Sequence, residues 1–171
     1  MTTKQLKELT DKWAADRGIL DNGRYETQWL KLMSEFGELC DNVAKTEDVK
    51  DSIGDVLVVL SNMHGILNRR LIENIPTFIF DNLEIICEYK TYQLPKQSPT
   101  PGQLLHELGS ALNQIYYHRN FEEWLEIVIV QLHLIAKYHD TTITKCWKHA
   151  YNEIKDRKGY LNELGNFIKE S

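Results

Sequence analysis

The hydrophobic positions of this chain recur at helical spacing along almost its whole length. Leu6, Leu9 and Trp13 open the pattern, with Thr2 or Thr3 placed to cap a first helix. "RGILDNG" interrupts it between Gly18 and Gly23. A second helix is predicted from about Tyr25 to Lys45, with Trp29, Leu32, Phe36, Leu39 and Val43 along one stripe. Thr46 is expected to cap a third, with Glu47 and Asp48 in its first turn, where the helix dipole favours negative charge. That helix carries Val49, Ile53, Val56, Val59 and Leu60. Its "VLVVL" run would suit a buried strand, but it lies inside a long, acid-rich helical segment. Further helices are predicted over Pro76 to Tyr92, Gln103 to about Tyr117, Phe121 to Tyr138, and Thr142 to about Lys158, before a weak helix or tail. "QLPKQSPTPG" holds three of the four prolines and reads as a linker over 93–102.

The pattern also repeats. "LMSEFGEL" from Leu32 aligns with "LLHELGSA" from Leu104, 72 residues on. At the same offset "VLVVL" from Val56 falls on "VIVQL" from Val128. Glu35 matches Glu107 and Gly37 matches Gly109, but Glu38 becomes Ser110, Asp55 becomes Ile127 and Ser52 becomes Trp124. The expectation is a single all-α domain of two pseudo-repeats. Residues 1–75 form an equipped repeat and 103–140 a degenerate packing partner. Residues 142–171 supply a closing helix and tail.

Composition adds exclusions. With 171 residues, 42% of them hydrophobic, the chain is long enough for one real core. A net charge of −5 gives no footprint for nucleic acid. No apolar run is long enough to span a bilayer, so no membrane partner is expected. Cys40, Cys87 and Cys146 contain no CxxC pair and read as reduced core thiols of a cytoplasmic protein. No HExxH, Cys/His cluster, P-loop or paired Glu-x-x-His occurs.

The candidate chemistry is acidic. Glu35 and Glu38 are i and i+3 on one helix, and Asp51 and Asp55 are i and i+4 on the next. Glu38 lies eight residues before Thr46 and Asp55 nine after it. Antiparallel packing is therefore expected to level the carboxylates, each roughly 12–14 Å from the turn. Four like charges at one place repel unless a hard divalent cation joins them, and oxygen-only ligands suit Mg²⁺ or Mn²⁺. Gly37 and Gly54, inside helices, suggest close packing or room for a ligand.

"SEFGEL" with "KDSIGDVLVVLSN" resembles the MazG family of all-α nucleoside triphosphate pyrophosphohydrolases, notably its short phage-type members. Glu35 and Glu38 match the family's ExxE ligands, Asp55 its final aspartate, and Asn62 the asparagine seven residues later. "KHAYNEIKDRKG" resembles the closing helix, with Lys148, Asn152, Lys155, Arg157 and Lys158. The internal repeat is similar to the fused arrangement of dimeric dUTPase relatives. Ser34 stands where a leading glutamate often sits, and Ser52 occupies the first position of ExxD, for which adjacent Asp51 is the expected substitute.

The resemblance implies Mg²⁺-dependent cleavage of (deoxy)nucleoside triphosphates to monophosphate and pyrophosphate, in a homodimer, in the cytoplasm of the host if the chain is phage-encoded. Glu35, Glu38, Asp51 and Asp55 would hold the metal, and Glu38 and Glu35 would serve the attacking water. Asn62, Lys31, Asn152, Lys155, Arg157 and Lys158 would contact phosphates or sugar. Trp13, Trp29 and Phe36 could stack on a base, although the reading that comes first for each is a core position. The rival expectation is a non-catalytic MazG-like module for assembly or nucleotide sensing.

Overall fold

The computed structural model describes residues 1–70, 75–92, 99–117 and 120–170. Nine helices and one two-stranded sheet are found among them, and the architecture is all-α. Most of the predicted linker, residues 93–98, lies outside the described residues, while Pro101 and Gly102 already belong to a helix.

Helix α1 (Thr3–Asp16) starts with a capping box in which Thr2 and Gln5 satisfy each other's backbone N–H groups. The break after it holds one short turn, α2 (Ile19–Asn22). Helix α3 (Tyr25–Lys45) then pairs with α4 (Lys50–Arg70) as an antiparallel hairpin. Thr46 does not open α4, as predicted. It closes α3 in the left-handed region, with φ of 59°. The Asp48 carboxylate instead accepts the Lys50 N–H at 3.0 Å, so the connection is longer than the sequence suggests.

The predicted helix over Pro76 to Tyr92 is two helices, α5 (Phe78–Asp81) and α6 (Leu83–Tyr92). They part at Asn82, whose amide turns back to the Phe78 carbonyl at 2.9 Å. A second hairpin follows, formed by α7 (Pro101–Ile115) and α8 (Phe121–Tyr138). Thr100 caps α7 with Gln103, two residues earlier than predicted. Helix α9 (Ile143–Ile154) is capped by Thr142 and ends before Lys158. The segment beyond it is neither helix nor tail but a β-hairpin. Its strands β1 (Gly159–Leu161) and β2 (Phe167–Lys169) pair Gly159 with Lys169 and Leu161 with Phe167. The turn is organised by Asn162, whose side chain accepts the N–H groups of Leu164 and Asn166 at 3.0 and 2.9 Å, and by Gly165 at φ of 76°.

Helix α4 is the central element, packed by α1, α2, α3 and α9. Almost every residue from Ser52 to Leu67 is buried, which explains why "VLVVL" looks like a strand: all sides of this helix face protein. Helix α9 closes on it at Gly54. Gly37, by contrast, is exposed with open space around it and serves no close approach. Trp29 packs edge-on against Tyr116 at 4.9 Å, and the Phe36 ring underlies Gly109. Both aromatics join the two helical hairpins.

A buried polar seam fastens α1 to α4. Lys7, 2% exposed, pairs with Asp11 and lies over the Phe80 ring, and Asp11 also accepts the Ser61 hydroxyl at 3.0 Å. Burial holds the Lys7 ammonium below its ordinary range despite that partner. His64 is 1% exposed, and burial, with Lys7 nearby, lowers it to about 4. Cys40, Cys87 and Cys146 are free, the last two buried and pushed up to about 12 and about 11 by burial.

Candidate active site

A cavity of about 180 Å³ opens where α1, α3, α4, the end of α9 and the β-hairpin meet. Helical periodicity builds two of its walls. Gln28, Lys31 and Glu35 fall on one face of α3, and Asp55, Val58, Val59 and Asn62 on one face of α4. The helices are antiparallel, so Asn62 meets Gln28, its amide donating at 3.3 Å, while Glu35 and Asp55 lie two turns away. Ile154, Arg157, Asn166, Phe167 and Lys169 complete the enclosure from the other side.

Charge is arranged in two signs. Glu35 is 3% exposed and paired with Lys31, whose ammonium reaches solvent. Asp55 has no such partner among the described residues, and its carboxyl is raised to about 7. Burial is the main cause, followed by the negative charges of Glu35 and Asp51, with Lys31 and Arg157 opposing them. Arg157 and Lys169 bring positive charge from elements remote in sequence. Arg17 fixes the end of α9 from below. Its guanidinium donates to the Arg157 carbonyl at 2.8 Å and the Lys155 carbonyl at 3.2 Å, and lies 5.0 Å from the Trp13 ring centre.

Of the residues singled out in the sequence, Trp13, Lys31, Glu35, Asp55, Asn62 and Arg157 line this cavity. Glu38 does not. The buried stripe of α3 runs through Gln28, Leu32, Glu35 and Leu39. At about 100° per residue Glu35 sits on its edge and Glu38 about 60° beyond it, exposed. Asp51 is also exposed, in the first turn of α4, and faces His149 across 3.7 Å. It acts on Asp55 only through its charge. Ser52 is buried between α3 and α4, where its hydroxyl donates to the Val49 carbonyl and accepts from Asn42, both at 3.3 Å. Lys148 and Asn152 are exposed on α9, Lys155 and Lys158 are exposed beyond its end at Ile154, and none of the four lines the cavity.

Gln28 and Lys169 escaped the sequence reading. Gln28 carried a signal, seven residues before Glu35 on the same face. Lys169 carried none, since only the folded hairpin brings it to the cavity.

Among the described residues no three of His, Cys, Asp or Glu gather as a ligand set. The expected four-carboxylate centre is therefore reduced to Glu35 and Asp55. Mg²⁺ is ordinarily held by one or two carboxylates, with substrate phosphates and water completing its shell. This donor pair fits a cation that arrives with a polyphosphate, not one caged by protein alone.

Comparison with known proteins adds one relative. A protein of Haemophilus phage HP1 (strain HP1c1), described as an uncharacterized 18.2 kDa protein in the rep-hol intergenic region, is 46% identical over 59 residues. The match takes in 33% of this chain and 36% of that protein, so the likeness spans about a third of each. No protein-family model and no solved structure matches the chain.

Proposed function

We propose that this chain hydrolyses a nucleoside triphosphate to the monophosphate and pyrophosphate, with Mg²⁺ or Mn²⁺ entering as the substrate's counterion. The observation that carries the reading is one cavity in which two carboxylates, Glu35 and Asp55, stand among three cations, Lys31, Arg157 and Lys169. A metal alone needs only acids, and a bare phosphate site needs only cations. A site with both signs suits a metal-bound polyphosphate.

Glu35 and Asp55 are the residues that would hold the metal, which when bound polarises phosphoryl oxygens. Lys31, Arg157 and Lys169 neutralise the remaining phosphate charge, Arg157 with the planar donors suited to phosphate. The water that attacks the α-phosphorus loses its proton to a carboxylate, and the bond to the β-phosphate bridging oxygen breaks, releasing pyrophosphate. Glu35 takes the water-orienting role, since Glu38 lies outside the cavity.

Incubation with each dNTP and Mg²⁺ or Mn²⁺ should release pyrophosphate. Glu35→Gln and Asp55→Asn should abolish release with their folds intact. Absence of release with every nucleotide rejects the reading.

A second reading, nucleotide binding without turnover, is favoured by one observation: Glu38 and Asp51 stand outside the cavity. Tight triphosphate binding with no product over hours selects it. The phage relative supports a phage-encoded gene, and action in the host cytoplasm and pairing as a homodimer belong to the same proposal. Sedimentation tests the pairing.

A further inference from the structure

Arg17 ends α1 as its C-cap residue, immediately before the left-handed Gly18. Its guanidinium crosses to a stretch 140 residues away in sequence. Nε donates to the Arg157 carbonyl at 2.8 Å. One terminal nitrogen donates to that same carbonyl and to the Lys155 carbonyl, the latter at 3.2 Å. The other turns back to the Trp13 carbonyl at 3.3 Å. Among the described residues every acceptor of Arg17 is a backbone carbonyl. Its planar fork is used as a bracket on the chain, not as one half of an ion pair.

The carbonyls it takes lie where the chain leaves α9. Lys155 is the C-cap of that helix, and carbonyls at a helix end have no intrahelical N–H to accept. A cation there also complements the negative end of the helix dipole. Arg157 sits in the middle of this exit. Its carbonyl is held by Arg17 and its N–H donates to the Ile154 carbonyl at 2.8 Å. Its side chain lines the cavity, where its charge acts on Asp55. Two residues on, β1 begins at Gly159, so close to β2 that a Cβ there would stand 2.2 Å from the Ile168 carbonyl oxygen. Phe167 of β2 in turn meets the Trp13 ring edge-on at 5.7 Å. The backbone that carries Arg157 is thus tied to α1 on both sides.

We propose that Arg17 is a positioning residue: by bracketing the Lys155 and Arg157 carbonyls it holds the Arg157 guanidinium at the cavity, where that group meets phosphate. Arg17 does not itself line the cavity and touches no ligand. A lysine would keep the charge, but a single ammonium cannot span the carbonyls that Arg17 reaches with two nitrogens. The placement matters because a charged group displaced by an ångström loses much of its hold on a bound phosphate. The proposal rests on the polyphosphate reading of the site, but its test needs no turnover.

Calorimetry of the full chain with inorganic tripolyphosphate and Mg²⁺ supplies that test. Arg17→Met and Arg157→Met should each weaken binding about tenfold, the scale of one lost charge-assisted contact. The double variant should bind no more weakly than Arg157→Met alone, because Arg17 acts only through Arg157. Arg17→Lys should bind as weakly as Arg17→Met. Amide exchange over 155–161 should quicken in Arg17→Met and keep the parent rate in Arg157→Met. Thermal melts show whether each variant is folded at the temperature of the titrations. Where Arg17→Met is not, Arg17→Lys takes its place in the double variant.

Losses that multiply in the double variant overturn the proposal, as does full affinity in Arg17→Lys or a parent protein that binds no tripolyphosphate. Any of these together with pyrophosphate release from a dNTP leaves the hydrolase reading standing. The expected pattern without release from any dNTP overturns only the hydrolase reading.

Discussion

Gly54 of α4 lies against the backbone of Cys146 on α9, so closely that a Cβ at Gly54 would stand 2.3 Å from the Cys146 carbonyl oxygen. The same atom would meet Ala150 Cβ at 2.6 Å. A glycine that weakens α4 by its own propensity is kept because no other residue lets the two axes approach this far. Gly54→Ala should destabilise the protein by about 1–3 kcal/mol in urea unfolding, the usual range for overpacking. Gly37→Ala, in the open on α3, should stabilise it by up to about 1 kcal/mol. If both changes move stability in the same direction, the close approach of α9 is wrong.

Lys31 is the partner of a Glu35 carboxylate that is almost wholly buried. Lys31→Met leaves that carboxylate without a cation. Because the lysine itself is 57% exposed, the expected cost is about 1–2 kcal/mol, between the ranges for surface and buried pairs. If Mg²⁺ can occupy the space beside Glu35 and Asp55, millimolar Mg²⁺ should raise the melting temperature of Lys31→Met more than that of the parent protein. An equal Mg²⁺ response in the two proteins argues against a cation site there.

Asp55 is raised in the folded protein from 3.8 to about 7. The folded state therefore holds a proton that the unfolded chain has lost, so the contribution is full below pH 3.8 and disappears as pH rises through about 7. Above pH 7 Asp55 is a half-buried charge with no ion-pair partner among the described residues. Asp55→Asn should raise the melting temperature at pH 8, by the equivalent of about 1–3 kcal/mol after allowing for partial solvent access. The gain should vanish near pH 4. The same substitution should abolish any hydrolysis, a trade of stability for function. A variant less stable than the parent at pH 8 would show that Asp55 is not strained.

His64 has the opposite sign. Its folded value falls from 6.5 to about 4, so the unfolded chain binds the proton first as pH drops. Stability from this neutral imidazole is present above pH 6.5 and is lost as pH falls toward 4, by up to about 3 kcal/mol. Replacement by Gln should flatten that acid limb in thermal scans between pH 4 and 7. An unchanged slope would mean the loss arises elsewhere. Because Asp55 and His64 titrate in opposing directions over one window, Asp55→Asn should steepen the limb that His64 produces.

Helix periodicity puts Asp55 and Asn62, seven residues apart, on one face, and these two line one cavity with Glu35 because such spacings survive folding unchanged. It misjudged Glu38, since an i, i+3 pair shares a face only within about 60°, enough to put one carboxylate inside and the other in water. Thr46 was misread because threonine commonly caps a helix start, whereas here it takes the left-handed conformation that glycine or asparagine usually fills. The hairpin left a trace in "LNELGNF", where Asn162, Gly165 and Asn166 mark a turn. Its three-residue strands are too short to show alternation, so Lys169 could be located only by folding.

Trp13 and Lys169 bound the same small space although they come from opposite ends of the described chain. On the ribosome α3 and α4 would emerge and present Glu35 and Asp55 long before Arg157 and Lys169 exist. Through most of its synthesis the nascent protein would carry the acids without the cations of the far wall. The far wall of the cavity is thereby the last part of it to be made, and the enclosure is complete only once the second strand of the hairpin has folded back onto α1.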